Sequence, residues 1–267
     1  MSREVEAAVE AARAAGAVLR RGYGTPKTIR YKATIDLVTA FDEESEGTII
    51  QILSAAFPTY GFWTEESGHH PATGDARWIV DPLDGTTNYA HDLPHFAVSI
   101  ALEKAGTLVA GVVYDPILDE LFVAERGGAA TLNGRTIHVS PTEELVRALL
   151  ATGPPSDHSA VLDQRDYNAG MAVLAQGLRQ TGSAALDMCY VAAGRLDGYF
   201  ERGMHLWDIG AGMVIVAAAG GRVSTYAGTA CGQGTDDIVA SNGLLHPALL
   251  NLVADRDGGH PPADAHG

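Results

Sequence analysis

Cysteine is scarce in this chain of 267 residues; only Cys189 and Cys231 occur. Two thiols cannot make a disulfide framework, and both read as small apolar core residues. Positive charge is scarce too. Lys and Arg number 18 against 33 Asp and Glu, a formal net charge of −15. Nucleic acid and anionic membrane both select basic surfaces, so neither is expected as a main partner. A phosphorylated substrate stays open, because bound cations invert the local field. Long apolar runs are missing, so no segment is expected to span a bilayer. The opening Met-Ser-Arg-Glu-Val-Glu has acids where a signal peptide needs an apolar core, and a cytoplasmic protein is expected. His69, His70, His91 and His95 crowd one stretch but lack zinc-ligand spacing, and read as surface or hydrogen-bonded side chains.

What is present is an ordinary globular balance, 46% hydrophobic and 19% charged. The length suits one large domain. Helical periodicity marks residues 5–21 and 41–57. Short apolar runs at 77–81, 96–102, 107–114 and 120–124 predict strands, the last three as an antiparallel meander. Asn133-Gly134 predicts a hairpin turn. In the second half, helices are expected at 163–176, 183–193, 207–219 and 244–254, with strands at 198–201 and 237–240. Gly220-Gly221 closes the apolar helix before it. Strands and helices do not alternate strictly. An α+β layered sandwich therefore fits better than a doubly wound parallel sheet. A single domain over 1–254 is expected, with lobes of roughly 1–140 and 141–254. The polar tail 255–267 has no apolar period and is expected to be disordered.

The segment Arg77-Trp-Ile-Val-Asp-Pro-Leu-Asp-Gly-Thr-Thr-Asn-Tyr89 carries the chemistry. Pro82 pushes Asp81 toward an extended backbone, at what reads as the strand end. Gly85 permits a sharp turn, after which Thr86 or Thr87 can cap a helix whose free N–H groups face an anion. Asp81, Asp84, the Leu83 carbonyl and a hydroxyl form an oxygen set suited to a hard cation such as Mg²⁺. Glu65 and Glu66 follow Gly61-Phe-Trp63 at a strand end, Asp42 lies near a helix start, and Asp208 follows Trp207 at another. Alone, Asp-x-x-Asp-Gly is usually a turn, Glu65-Glu66 a solvated surface, and Asp208 an N-cap. Their conjunction points to a metal-assisted phosphoryl site.

Glu65-Glu66-Ser67, the motif from Trp78 to Asn88, and Trp207-Asp208-Ile-Gly-Ala-Gly212 together resemble the inositol monophosphatase family. Lys32-Ala-Thr-Ile-Asp-Leu-Val-Thr39 and Gly182-Ser-Ala-Ala185 extend the resemblance. It implies a layered αβαβα sandwich of the sugar-phosphatase type and a Mg²⁺-dependent, Li⁺-sensitive phosphomonoesterase. Two or three Mg²⁺ ions are implied, with Mn²⁺ as a substitute and Ca²⁺ and Li⁺ as inhibitors. By position, Glu65 resembles a ligand of the first metal that orients the attacking water, and Asp81 the bridging ligand. The Leu83 main-chain carbonyl resembles another ligand of the first metal, and Asp84 and Asp208 ligands of the second. Thr86 resembles the hydroxyl that polarises the water, with Asp42 as its partner. Gly85 and Thr86 resemble the phosphate cradle; Ser183, Ala184, Glu201 and Asp208 resemble the substrate wall. Glu66 and Lys32 resemble supporting residues, Lys32 on a loop over the site; His205, close to Asp208 in sequence, is expected to support it. Thr64, Phe41 and Gly210 depart from the usual pattern, and none removes a ligand. The family implies a homodimer and a small phosphorylated substrate.

Thr87-Asn88 favours the inositol phosphatase branch over the sulfur-pathway and nucleotide branches. Fructose 1,6-bisphosphate, NADP and adenosine bisphosphate stay open as alternative substrates. A non-catalytic interaction protein is a further alternative. A haloacid-dehalogenase-type phosphatase would place its acids two apart near the N-terminus; here they stand three apart, starting at Asp81.

Overall fold

A computed structural model describes residues 1–31, 37–153 and 174–254. Helix α1 (Arg3–Gly22) starts at an N-cap, Ser2, whose hydroxyl accepts the Val5 N–H, with Glu4 and Glu6 in the first turn and Arg20 and Arg21 in the last. A hairpin of β1 (Ile29–Tyr31) and β2 (Leu37–Thr39) leads into α2 (Ala40–Ala56). Then follow β3 (Gly61–Thr64), β4 (Gly68–His70), β5 (Ala76–Asp84), the short α3 (Thr86–Ala90), β6 (Ala97–Lys104), β7 (Thr107–Asp115), β8 (Glu120–Glu125), β9 (Thr131–Leu132) and β10 (Arg135–Thr136). After a 3₁₀ turn at Leu145–Arg147 come β11 (Leu149–Thr152), β12 (Gly177–Arg179), α4 (Ala184–Ala192), β13 (Gly198–Arg202), α5 (Leu206–Ala218), β14 (Arg222–Ser224), β15 (Asp237–Ser241) and α6 (His246–Ala254).

Apart from the β1–β2 hairpin, the strands form two sheets. Eight run in the order β10-β9-β8-β7-β6-β5-β3-β4, and five in the order β12-β11-β13-β15-β14. Both are mixed. β3 pairs β5 in parallel, β5 to β8 form an antiparallel run, and β11 lies parallel to both β12 and β13. Three apolar clusters fill the spaces between layers. Val5, Leu19, Ile49 and Leu53 of α1 and α2 meet Trp78, Val80, Ile100 and Val112 of the large sheet. Ile79, Ala101 and Val113, from the other face of that sheet, meet Met188 and Val191 of α4 and Ile209 and Ile215 of α5. The same cluster reaches Tyr199 and Ala240 of the small sheet. Leu150, Phe200 and Val239 pack outward against Leu249 and Val253 of α6. The architecture is the expected αβαβα sandwich, its middle helical layer covered by a sheet on each side. That position explains why α5 is apolar nearly all round.

Most of the elements expected from sequence lie within two residues of their predicted bounds. The Asn133-Gly134 hairpin is present with positive φ at both residues, 49° and 76°, as a two-residue type I′ turn requires. One expectation is corrected. β5 does not stop at Asp81 but runs on to Asp84, with its register against β6 shifting between those two residues. Pro82 lacks the N–H that a regular ladder would need, so the strand accommodates it as a bulge. The expected helix at 163–176 lies outside the described residues for nearly all its length, as do Lys32 and the tail 255–267. No helix among the described residues is long and apolar enough to cross a membrane.

Candidate active site

The bulge in β5 positions the acids. Asp81 Oδ1 accepts the Leu83 N–H at 2.9 Å, closing a local turn on its own strand. The Pro82 carbonyl accepts the Ser45 hydroxyl of α2 at 2.8 Å. Gly85 then turns the chain with φ +95° and is the N-cap of α3. Neither Thr86 nor Thr87 caps that helix, contrary to expectation. The Thr86 hydroxyl reaches back instead, to the Leu83 carbonyl at 3.0 Å and to Asp42 Oδ1 at 3.2 Å. A Cβ at Gly85 would stand 3.0 Å from the His95 carbonyl oxygen, in a backbone region that L residues avoid. Gly85→Ala is therefore expected to cost about 2 kcal/mol or more of stability. Urea unfolding checks this, and an unchanged midpoint would refute the strained-turn reading.

Asp42 is the third residue of α2 and forms a capping box with Thr39: its Oδ2 accepts the Thr39 N–H at 2.9 Å and the Thr39 hydroxyl at 2.6 Å. Its burial lifts its pKa from 3.8 to about 6, against those hydrogen bonds. Asp84 Oδ2 accepts the Ala185 N–H at 2.9 Å and the Ser183 hydroxyl at the start of α4. Desolvation raises it to about 6. Asp208, in the first turn of α5, accepts the His205 N–H at 2.7 Å. Asp208 keeps some surface to solvent, yet the protein crowds it closely. Desolvation first, then Asp84, Glu65 and Glu201, push it well above the usual carboxylate range. Asp81 is pushed up in the same way by burial, Glu65, Asp84 and Asp208. Four acids from β5, α5 and the end of β3 thus act on one another's charge, although more than a hundred residues separate Glu65 from Asp208 in sequence. Glu201 on β13 is raised to about 8 by desolvation, with the Tyr199 hydroxyl donating to it.

The remaining residues expected from sequence take the following places. Glu65 is half-buried just past β3, and its N–H donates to the Val80 carbonyl at 3.1 Å. The Glu66 N–H donates to Glu46 Oε2 at 3.0 Å, so a buried acid of α2 ties the double-Glu turn to the site. His205 meets Asp208 through its main chain, while its ring stacks on Trp207 at 4.4 Å. The Ser183 hydroxyl points to Asp84, and Ala184 opens α4 beside it. Two histidines of the crowded stretch have side-chain partners: His69 stacks on Trp63 at 4.7 Å and His70 hydrogen-bonds Ser67 at 2.7 Å. Both cysteines are free, Cys189 buried and Cys231 half-buried. Asn88, Thr181 and Asp187 cluster beside Asp84 with no role assigned from sequence; the only signal was that Asn88 ends the acidic motif and Thr181 precedes Gly182.

The donors fit a hard cation by chemistry. They are oxygens, held in a buried place where each raises its neighbours' affinity for positive charge. Among the described residues, however, no three His, Cys, Asp or Glu side chains are grouped tightly enough to hold a metal as they stand. A cavity of about 800 Å³ lies elsewhere, against the outer side of α5 at Met213, Val214 and Ala217, and contains none of these acids.

Known proteins share this arrangement of elements. The inositol monophosphatase family model matches residues 1–257. The inositol-1-monophosphatase of Mesorhizobium japonicum is 43% identical over 253 residues, covering 92% of this chain and 94% of that protein. The Nus factor SuhB of Escherichia coli strain K12 is 42% identical, covering 93% and 95%. Among solved structures, the inositol monophosphatase of Anabaena (Nostoc) sp. PCC 7120 superposes with a TM-score of 0.86 at 41% identity, over 97% of this chain and 96% of that one. The extragenic suppressor protein suhB of Bartonella henselae superposes with a TM-score of 0.91 at 40% identity, over 94% and 98%. With family, fold and relatives in agreement from end to end, the chain belongs to the inositol monophosphatase family and is a phosphoric monoester hydrolase.

Proposed function

We propose that this enzyme is a Mg²⁺-dependent phosphatase that hydrolyses inositol 1-phosphate or a closely related polyol phosphate. What supports the reading is the burial of Asp81 and Asp84 on the β5 bulge, with the half-buried Glu65 and Asp208 near enough to push the Asp81 carboxyl up. Those four acids and the Leu83 carbonyl would hold the Mg²⁺ ions. Bound there, the ions supply the positive charge that activates water and steadies the departing oxygen in an in-line displacement.

The chain's own residues do the positioning. The Thr86 hydroxyl donates toward Asp42 or the Leu83 carbonyl, so its oxygen is free to accept from the attacking water. Asp42, with a pKa near 6, suits a group that takes up a proton around neutrality. Glu65 orients the same water from the end of β3. The Gly85 and Thr86 amides, at the start of α3, would face the phosphate. Glu201 reads a substrate hydroxyl, and its pKa of about 8 lets it accept or donate near neutral pH.

The name Nus factor SuhB on several relatives raises contact with transcription machinery as a separate role. The net charge of −15 argues against direct contact with nucleic acid here. A phosphate-release panel with Mg²⁺ tests the reading, using inositol 1-phosphate, fructose 1,6-bisphosphate, NADP and adenosine 3′,5′-bisphosphate. Inositol 1-phosphate is expected among the best substrates. A wide lead for adenosine bisphosphate would overturn the substrate assignment, and no release from any would overturn the catalytic one.

A further inference from the structure

Asn88 and Asp187 come from opposite halves of the chain and meet on Thr181. The Asn88 amide nitrogen donates to the Thr181 carbonyl at 2.8 Å and also to the His95 carbonyl at 2.8 Å. The Thr181 hydroxyl donates to Asp187 Oδ2 at 2.7 Å. Asn88 and Asp187 are both buried. The next residue, Gly182, adopts φ +83° directly over the Asn88 amide, where a Cβ would stand 3.1 Å from its nitrogen. The residue after that is Ser183, whose hydroxyl donates to Asp84 Oδ2 alongside the Ala185 N–H. Both donors use the same carboxylate oxygen, which leaves Oδ1 without them. The chain of contacts thus runs from the end of the acidic motif through Thr181 and back to that motif's second acid.

We propose that Thr181 is a positioning residue: gripped by Asn88 and Asp187, it sets the Gly182–Ser183 turn and thereby the rotamer of Asp84. This rests on the reading of Asp84 as a metal-holding acid. The clamp crosses from α3 to α4, so the site is assembled only when the two segments are locked together. Burial lifts the Asp187 carboxyl to about 8, so near neutrality it grips Thr181 mostly without adding charge beside Asp84. An uncharged amide should therefore serve in its place.

Residues that orient a metal ligand typically weaken metal affinity by about 10- to 100-fold when removed. Thr181→Val is expected to weaken Mg²⁺ binding, measured by calorimetry with Mg²⁺ alone, by about 10-fold or more. It should lower kcat, with a modest drop in the metal-free thermal midpoint because the buried Asp187 oxygen loses its donor. Thr181→Ser and Asp187→Asn, which keep the hydroxyl and its acceptor, should restore wild-type Mg²⁺ affinity. If Thr181→Val fails to fold, Asp187→Leu removes the same grip from the other side and is read in the same way. Wild-type Mg²⁺ affinity in Thr181→Val or Asp187→Leu would overturn the proposal while leaving the metal site itself intact. Failure of the wild-type protein to bind Mg²⁺ would overturn both.

Discussion

Asp84→Asn is expected to lower turnover by at least ~10²-fold with the fold intact, since loss of groups merely supporting a metal ligand already costs 10- to 100-fold. Asp84 is buried and contributes charge where Asp81, Asp208 and Glu65 also converge. An amide of the same shape can still accept one hydrogen bond from Ser183 or Ala185, so packing is preserved. What disappears is a full negative charge and one hard oxygen donor. Mg²⁺ should accordingly raise the thermal midpoint of the wild-type protein and raise that of Asp84→Asn much less. Near-normal phosphate release by the variant with Mg²⁺ would sink the assignment of Asp84. Equal Mg²⁺ stabilisation of both proteins would do the same.

Metal-free protein is expected to become more stable, not less, as the pH falls from 8 to 6.5. Desolvation raises the folded-state pKa of Asp187 from 3.8 and of Glu201 from 4.5, each to about 8. The native state then binds protons more tightly than the unfolded chain. That contribution is complete below the unfolded values near 4 and is lost as the pH rises through 8. Asp42 and Asp84, each raised to about 6, add to the same trend toward the lower end of the window. At about 1.4 kcal/mol per pKa unit, two groups protonating across this window give a gain on the order of 2–3 kcal/mol. His246 works in the opposite direction. Buried between Ser224 and Ser241, its ring is held down to about 4 from an ordinary 6.5, so it opposes further gain below pH 6.5. Chelator-treated protein melted at pH 8 and 6.5 supplies the test, with Glu201→Gln flattening the difference. A midpoint that drops as the pH falls across this window would show that these carboxyls are ionised and compensated in the native state. Mg²⁺ should stabilise more at pH 8, where fewer of these acids are protonated, than at pH 6.5.

Much of the architecture was legible because local signals were unmixed. The Ala-rich period of α1, the alternating β6–β7–β8 run and the Asn133-Gly134 turn each have one good backbone solution. The misread element was β5. Pro82 signalled a break, yet β6 carries the strand through as a bulge, pairing Asp84 with Ala97 after the pairing with β3 has stopped at Val80. Very short strands such as β11, β12 and β14 escaped because three or four residues carry too little pattern.

The sequence alone pointed to the chemical kind of the site. Two carboxylates, a glycine turn and hydroxyls within Asp81 to Thr87 put only oxygen donors and backbone amides on offer, and it took the distant Glu65-Glu66 and Trp207-Asp208 motifs to raise that segment above an ordinary turn. It also singled out Glu65 and Asp208 as companions, through their places at the ends of an apolar strand and at the start of an apolar helix. Which side chain serves which was decided by tertiary structure. That Ser183 turns to Asp84, that Thr86 reaches Asp42, and that Asn88 and Asp187 close on Thr181 all depend on helices and strands from separate halves arriving at one buried point. The physical reason is that hydrogen-bond partners and charge coupling act over a few ångströms in space, whereas a sequence records only separation along the chain.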